Sequence, residues 1–435
     1  MFRSSRGIVF LTALVGGFWG VMDGFFVFPM VNICAVVLGL LFIFHKQKYG
    51  LWTRMWQDNF ITLFMVCLLS NFIACWINRG QSILQSIYNV EVKNMLLIFF
   101  FYLLLKLKND IIVVEKSIVV LYFIFIACFF FQYFIFYPEP VFRMIGVNIE
   151  SILDRDTEHR FRLASQAIGF LGYFFLLNRV LTEKAPPKWY YVGVVLGFLF
   201  VVLLGFRSET IAIIVSSIYM VFRVRGFRLE MLTYAISFGI ILIVLCQIPQ
   251  VQKQVNNMIE RQMGGQNYQN SDYVRNTQLY YFLYEHSVNT SDYFFGSGLP
   301  SPKSRYGKKW ADQTTETGSY NQQMTISMYG WVDWGVVGLS WMAGMPLGIL
   351  LYWFMFFMVL RNYGKRNLYI SSLYLFLLFT SVTTIEFYRQ GAYIYHAIIL
   401  YITTILDKRM SIKFTEKHNK NGKSVEKRMS YKQYA

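Results

Sequence analysis

The side chains of this sequence best suited to chemistry are arginines placed beside apolar segments. Arg207 lies in FVVLLGFRSETIAIIV (residues 200–215). Arg275 lies in VRNTQLYYF, on a predicted amphipathic helix that begins near Ser271 or Asp272. A guanidinium group binds phosphate oxygens through two parallel hydrogen bonds and stays charged at any physiological pH. These positions predict an anionic, phosphate-bearing ligand, provided that the surrounding elements bring the arginines to one surface.

Other recognisable catalytic motifs are missing from the sequence. It has no nucleotide-binding loop, no His, Cys and carboxylate cluster at metal spacing, and no Ser/His/Asp set. Dispersed arginines without a metal motif indicate that phosphates are handled without a divalent cation, so we expect no metal and no other cofactor. The five cysteines fall within or at the ends of apolar blocks without paired spacing, which favours a packing role. They are Cys34, Cys67, Cys75, Cys128 and Cys246.

The elements that must position the arginines are predicted to be membrane-spanning helices. Of the 435 residues, 55% are hydrophobic and 19% are aromatic, and the mean hydropathy is +0.40. Apolar blocks of about 20 residues, the length that crosses a bilayer core, recur along the chain. The sequence therefore predicts an all-α, polytopic integral membrane protein with about twelve transmembrane helices. The predicted spans are Gly7–Val21, Phe25–Phe44, Phe60–Ile77, Met95–Leu105, Ile111–Tyr137, Leu163–Leu181, Trp189–Phe206, Thr210–Phe222, Met231–Ile248, Trp334–Leu360, Leu368–Ile385 and Gly391–Leu406.

These spans divide the chain into four regions. Residues 1–248 hold membrane helices 1–9, and residues 249–327 form a large extracytoplasmic loop with at least one helix. Residues 328–406 hold membrane helices 10–12, and residues 407–435 form a basic cytoplasmic tail.

The net charge of +17 is a topology signal. On this threading, one face carries 26 of the 41 basic residues but only 8 of the 24 acidic ones. Cytoplasmic loops of membrane proteins show this excess, so both termini are predicted to be cytoplasmic. Nucleic acid is not needed to explain the charge. Membrane lipid is the expected partner of the basic face.

Topology also places Arg207. The basic clusters 179–188 and 223–228 are both predicted to be cytoplasmic, so an even number of spans lies between them. The chain must therefore reverse near Gly205, with Ser208 as the expected cap of the next helix. This puts Arg207 at the extracytoplasmic mouth, beside a helix N-terminus that also attracts anions.

Further polar residues are predicted to lie near the same face. Arg305 belongs to a basic stretch with Lys303, Lys308 and Lys309, which is suited to guiding an anionic substrate or lipid. Glu386 and Arg389 are expected to pair with each other. His396 is expected to be a hydrogen-bonded packing residue.

Taken as a set, several short motifs resemble those of the O-antigen polymerase and O-antigen ligase family of bacterial envelope polysaccharide synthesis. They are GFRSETIAII, the arginine in VRNTQLYYF, FFGSGLP, and SYNQQ before WGVVGL. The resemblance implies that Arg207 and Arg275 bind the diphosphate of an undecaprenyl-diphosphate-linked glycan. Arg162, in FRLASQAIGF, is a weaker third match.

The resemblance implies a metal-independent glycosyltransferase in the bacterial cytoplasmic membrane. We expect a polymerase that transfers glycan from undecaprenyl diphosphate to a lipid-linked repeat unit, with a chain-length regulator as a candidate partner. Tyr320-Asn321 stands where ligases of this family have His-Asn, so the two residues are candidate substrate contacts and the general base is open among His286, Glu285 and Glu316. A ligase that moves glycan to a lipid or protein acceptor, and a lipid-linked oligosaccharide flippase, are the alternatives.

Overall fold

In the computed structural model, the described residues form helices joined by turns and short irregular segments. The described residues are 30–142 (except 109), 163–226 (except 164), 278–309 (except 288) and 331–408 (except 390), with single positions at 7, 145, 249, 251, 252 and 256. Within these ranges the regular elements are α-helices, with short 3-10 and π-helical turns and no strand. The prediction of an all-α fold is confirmed for this part of the chain.

The first group of helices covers residues 30–136. Its members are α1 (Met30–Tyr49), α2 (Trp56–Arg79), α3 (Ile83–Ile87), α4 (Val90–Leu96), α5 (Phe100–Leu107) and α6 (Ile111–Phe131). A 3-10 turn over Leu97–Phe99 interrupts the predicted span Met95–Leu105, which the structure divides between α4 and α5. A π-helical turn, Gln132–Phe136, extends α6.

The second group of helices covers residues 166–408. Its members are α7 (Gln166–Thr182), α8 (Lys188–Leu204), α9 (Arg207–Arg225), α10 (Thr290–Phe295), α11 (Gly335–Ala343), α12 (Met345–Leu360), α13 (Leu368–Thr380) and α14 (392–408). Helix α7 packs against α6, α8, α9 and α13, and most of its side chains are buried. It therefore forms the centre of this half of the core.

Two of the described segments are long and apolar enough to cross a membrane. They are α2, with 24 residues, and Ile111–Phe136, with 26, whereas α8 and α12 are apolar but shorter. The outward faces of α2 and α12 are apolar as well. On α12 the exposed side chains recur every three or four residues: Met345, Ile349, Trp353, Phe356 and Leu360. Two segments thus have the length and composition of a membrane span, and the count of twelve stays a prediction.

The predicted single span Trp334–Leu360 is wrong, because the helix breaks at Gly344. This residue has φ of 102°, in the region that favours glycine, and a Cβ there would lie 2.7 Å from the backbone carbonyl of Phe295. The buried Asn71 amide donates to Met342 O (3.0 Å), just before the break, and to Phe295 O (2.5 Å) at the end of α10. The segment after α10 therefore packs into the gap between α11 and α12.

One end of the helix bundle collects the basic clusters that the sequence assigns to the cytoplasm, and we call it the basic end. The Asn178 amide donates to Lys365 O (2.9 Å), and Arg179 donates to Arg366 O (3.3 Å). The Lys365 ammonium donates to Val224 O (2.8 Å). Three predicted cytoplasmic segments thus meet through direct hydrogen bonds.

The start of α2 lies at the basic end too. The Trp56 indole donates to Asp407 Oδ2 (2.9 Å), and Asp407 also pairs with Arg361. Asp58, fully buried in the first turn of α2, binds the Lys46 ammonium at 2.8 Å. The end of α2 with Arg79 therefore lies at the other pole of the bundle, which we call the opposite end.

Candidate functional site

Arg207 is the first residue of α9, directly after a chain reversal. Helix α8 ends at Leu204, and Gly205 turns the chain with φ of 71°. The predicted reversal near Gly205 is confirmed. Phe206, not Ser208, is the N-cap, and it provides no side-chain cap, so the prediction of a Ser208 cap is wrong. Ser208 instead lies in the first turn, where Arg207 is partly exposed beside the unpaired amide groups typical of a helix start.

Glu209 lies in the same first turn and is fully buried. A carboxylate in the first turn is stabilised by the positive end of the helix dipole. The start of α9 thus combines a partly exposed guanidinium with a buried carboxyl group two positions later.

A second polar region lies where α10 packs on the end of α2. Arg79 forms an ion pair with Asp292 (2.9 Å) and donates to the backbone carbonyl of His286 (3.0 Å). The Asn78 amide donates to Asp292 Oδ1 (2.9 Å) and to Ser291 Oγ (2.8 Å). Asp292 is buried, so these donors replace the water that a surface carboxylate would have.

His286 is buried within this region. Its Nε2 shares a hydrogen bond with Ser297 Oγ (2.5 Å). Burial, with a smaller contribution from the charge of Arg79, lowers the pKa of His286 to about 3. The imidazole is therefore neutral at pH 7 and weakly basic, whereas a general base works best with a pKa near the working pH. This placement favours a role in positioning, and the general-base role of His286 stays a prediction.

The segment after α10 is fixed to the turn after α2 by buried amides. Gln81, fully buried, donates to Leu299 O (2.9 Å) and accepts from the Ser301 backbone amide (2.9 Å) and from the Ser304 hydroxyl (2.8 Å). The Asn89 amide donates to Pro300 O (3.0 Å). The FFGSGLP motif is thus held on a rigid support.

Arg305 follows this support directly and is exposed, and its role in guiding an anion stays a prediction. The neighbouring Tyr306 ring lies 5.6 Å from the Arg79 guanidinium. His286 and Arg305 therefore both lie in the segment 278–309, whereas Arg207 lies on α9. The other predicted site residues fall outside the described residues: Arg162, Arg275, Glu316, Tyr320 and Asn321.

Arg79, Asp292 and Gln81 were not predicted from the sequence. Arg79 ends an apolar helix, a position typical of a residue at the membrane interface. The position of Asp292 is typical of a carboxylate at the start of a short helix. A usable signal was the density of amides near the end of the third predicted span, because Asn71, Asn78 and Gln81 are costly in lipid unless they have partners.

A third buried polar group connects the start of α7 with the turn after α13. Glu386 accepts from the Gln166 amide (2.5 Å) and from Arg389 Nε (2.9 Å). The predicted Glu386–Arg389 pair is thereby confirmed. The packing role of His396 is confirmed as well, since its ring bonds to Tyr374 OH (2.8 Å) and to Phe387 O (2.9 Å).

The described cysteines match the packing prediction. Cys34, Cys75 and Cys128 are buried, Cys67 is partly buried, and all four are free thiols. Cys246 lies outside the described residues. Within the described ranges, no group of three or more His, Cys, Asp or Glu side chains is placed to hold a metal ion.

Comparison with known proteins assigns no family. No protein-family model matches the chain, and no curated protein matches it significantly. The resemblance to the O-antigen polymerase and ligase family therefore stays a hypothesis carried by short motifs.

Proposed function

We propose that the chain is a multi-pass protein of the bacterial cytoplasmic membrane. The apolar residues that α12 exposes would be unfavourable in water over so large an area, but they suit lipid. The gathering of basic segments at one end supports the same proposal, because it is the arrangement that the positive-inside rule requires of cytoplasmic loops.

The proposed activity is polymerisation of a lipid-linked glycan at the opposite end. A sugar hydroxyl oxygen of the acceptor repeat unit attacks the anomeric carbon of the donor glycan. The bond from that carbon to undecaprenyl diphosphate breaks, the hydroxyl proton passes to a base, and undecaprenyl diphosphate leaves as the anion. The chemistry needs no nucleotide sugar, since the diphosphate is the leaving group.

The observation that carries this proposal is the position of Arg207. A partly exposed guanidinium at the first residue of a helix, after a tight reversal, offers both a side-chain charge and a helix end to a diphosphate. Charge that develops on the leaving group would be stabilised there, in a site that is partly removed from water. Arg275 is the predicted second cation.

Replacing Arg207 tests the activity. Arg207→Ala is expected to lower chain extension by about 10²–10³-fold, as removal of one electrostatic stabiliser does elsewhere. Arg207→Lys is expected to retain part of the activity, because it keeps the charge but not the two-pronged geometry. The measurement is the length distribution of glycan made by cells that produce each variant at equal membrane abundance.

Arg54→Ala is the matched control, since Arg54 is an exposed arginine at the basic end. A full ladder of chain lengths from Arg207→Ala would overturn the role of Arg207.

Deletion of the whole protein separates the alternative functions. Single repeat units facing outward indicate a polymerase, and units facing inward a flippase. Long chains still on their carrier indicate a ligase.

A further inference from the structure

Two lysine ammonium groups converge on one exposed tyrosine ring at the opposite end. Lys93 Nζ lies 5.4 Å and Lys303 Nζ lies 5.8 Å from the centroid of the Tyr88 ring. Tyr88 is 52% exposed, Lys303 is exposed and Lys93 is partly exposed. A ring face attracts a cation, but two cations on one ring also repel each other.

No carboxylate among the described residues balances this repulsion, since neither Lys93 nor Lys303 forms an ion pair there. The pKa of Lys93 is lowered by its partial burial and, to a smaller extent, by the charge of Lys303. A pair of ammonium groups in this state gains from any anion that comes between them.

The convergence is imposed by the fold, because the two lysines are distant in sequence. Lys93 lies on α4 and Tyr88 closes α3, while Lys303 comes from the segment after α10. The Gln85 amide reaches Lys303 O at 3.4 Å, and the Asn89 amide donates to Pro300 O at 3.0 Å. Side chains on both sides of Tyr88 thus fix the backbone that carries Lys303.

We infer that Lys93, Lys303 and Tyr88 form a binding site for a phosphate group. An ammonium group is a compact charge that binds phosphate oxygens through charge-assisted hydrogen bonds. A phosphate with close to two negative charges neutralises both lysines, whereas one carboxylate neutralises one. The inference does not depend on the proposed polymerase, because it rests on the lysine pair alone. A lipid headgroup and a water-soluble phosphate share this chemistry.

The experiment uses the full-length protein and two probes that separate these sources. The first arm titrates inorganic pyrophosphate by calorimetry into the protein in phosphatidylcholine nanodiscs. The second counts the phosphatidic acid molecules that native mass spectrometry finds retained on the protein from mixed nanodiscs. Lys303→Gln is expected to weaken binding about tenfold in at least one arm, which corresponds to one charge-assisted hydrogen bond.

Lys308→Gln is the matched control, since Lys308 is an exposed lysine five positions further along the same segment. Its binding is expected to fall by about twofold at most, because removing one charge from the basic stretch weakens long-range attraction without removing a phosphate contact. A loss confined to the phosphatidic acid arm identifies a lipid headgroup site, and a loss confined to the pyrophosphate arm identifies a site for a soluble phosphate. The inference is overturned when Lys303→Gln binds both probes normally, or when Lys308→Gln loses as much binding as Lys303→Gln.

Discussion

His286 is held between Ser297, which shares a hydrogen bond with its Nε2, and Arg79, which donates to its backbone carbonyl. The sequence places a histidine in the loop region but gives no sign that its ring is buried. The Arg79 side chain that binds its carbonyl is itself paired with Asp292, and these two residues are separated by more than two hundred positions. Arg207 was easier to place, because the glycine before it and the charge pattern around it are both local.

The low pKa of His286 predicts acid sensitivity. In the unfolded chain the imidazole has the ordinary pKa of 6.5, against about 3 when folded, so the unfolded state binds the proton more readily. Stability is complete above pH 6.5 and falls as the pH drops toward 3. At pH 5 the loss is about 2 kcal/mol relative to pH 7.

His286→Gln isolates this contribution, because a glutamine amide stays neutral and retains a donor for Ser297. Unfolding of the unmodified protein and the variant is compared at pH 7 and pH 5. The variant is expected to lose about 2 kcal/mol less on acidification, while all other titrating groups are common to both proteins. An equal loss in the two proteins would refute the assignment.

At the scale of elements, apolar blocks predict where helices occur but not where they break. The reversal between α8 and α9 was predictable, since 34 residues from Trp189 to Phe222 are too many for one crossing of a bilayer core. The break at Gly344 was not, because Trp334–Leu360 has the composition of one long span. It depends on the backbone of Phe295, which arrives from a distant segment.

Gly344→Ala tests whether that break is obligatory. A Cβ would require an unfavourable φ and would meet the Phe295 backbone at 2.7 Å, so a cost of at least about 2 kcal/mol is expected. Gly39→Ala is the control, because Gly39 lies on α1 with no atom within 4 Å of its added Cβ. Its effect should stay below about 1 kcal/mol. The measurement is the thermal unfolding midpoint of each purified variant. A Gly344→Ala midpoint as high as that of Gly39→Ala would show that the break is not obligatory.

At the scale of the whole molecule, the charge pattern predicted which segments meet. Segments assigned to the cytoplasm from their lysines and arginines are hydrogen-bonded to one another at the basic end. The sequence could not predict which helices pack together, because apolar faces of similar composition fit many partners. It also could not predict the support of the FFGSGLP motif, which depends on single amides such as Gln81.

Opposite ends should face opposite sides of a membrane. Lys184→Cys and Lys308→Cys place exposed thiols at the basic and opposite ends, and labelling of the unmodified protein gives the background from its native cysteines. A membrane-impermeant maleimide added to intact cells is expected to label Lys308→Cys, and to label Lys184→Cys only after permeabilisation. Labelling of both variants in intact cells would rule out the proposed topology.

Helix α2 joins the two ends, and its length is fixed by what each end binds. Asp58 holds Lys46 at one end, while Arg79 holds Asp292 at the other. One residue inserted between them would rotate one end by about 100° and displace it by about 1.5 Å relative to the other. Either the Asp58 contacts or the Arg79 contacts would then be lost. Evolution can therefore substitute residues within α2 far more readily than it can insert or delete them.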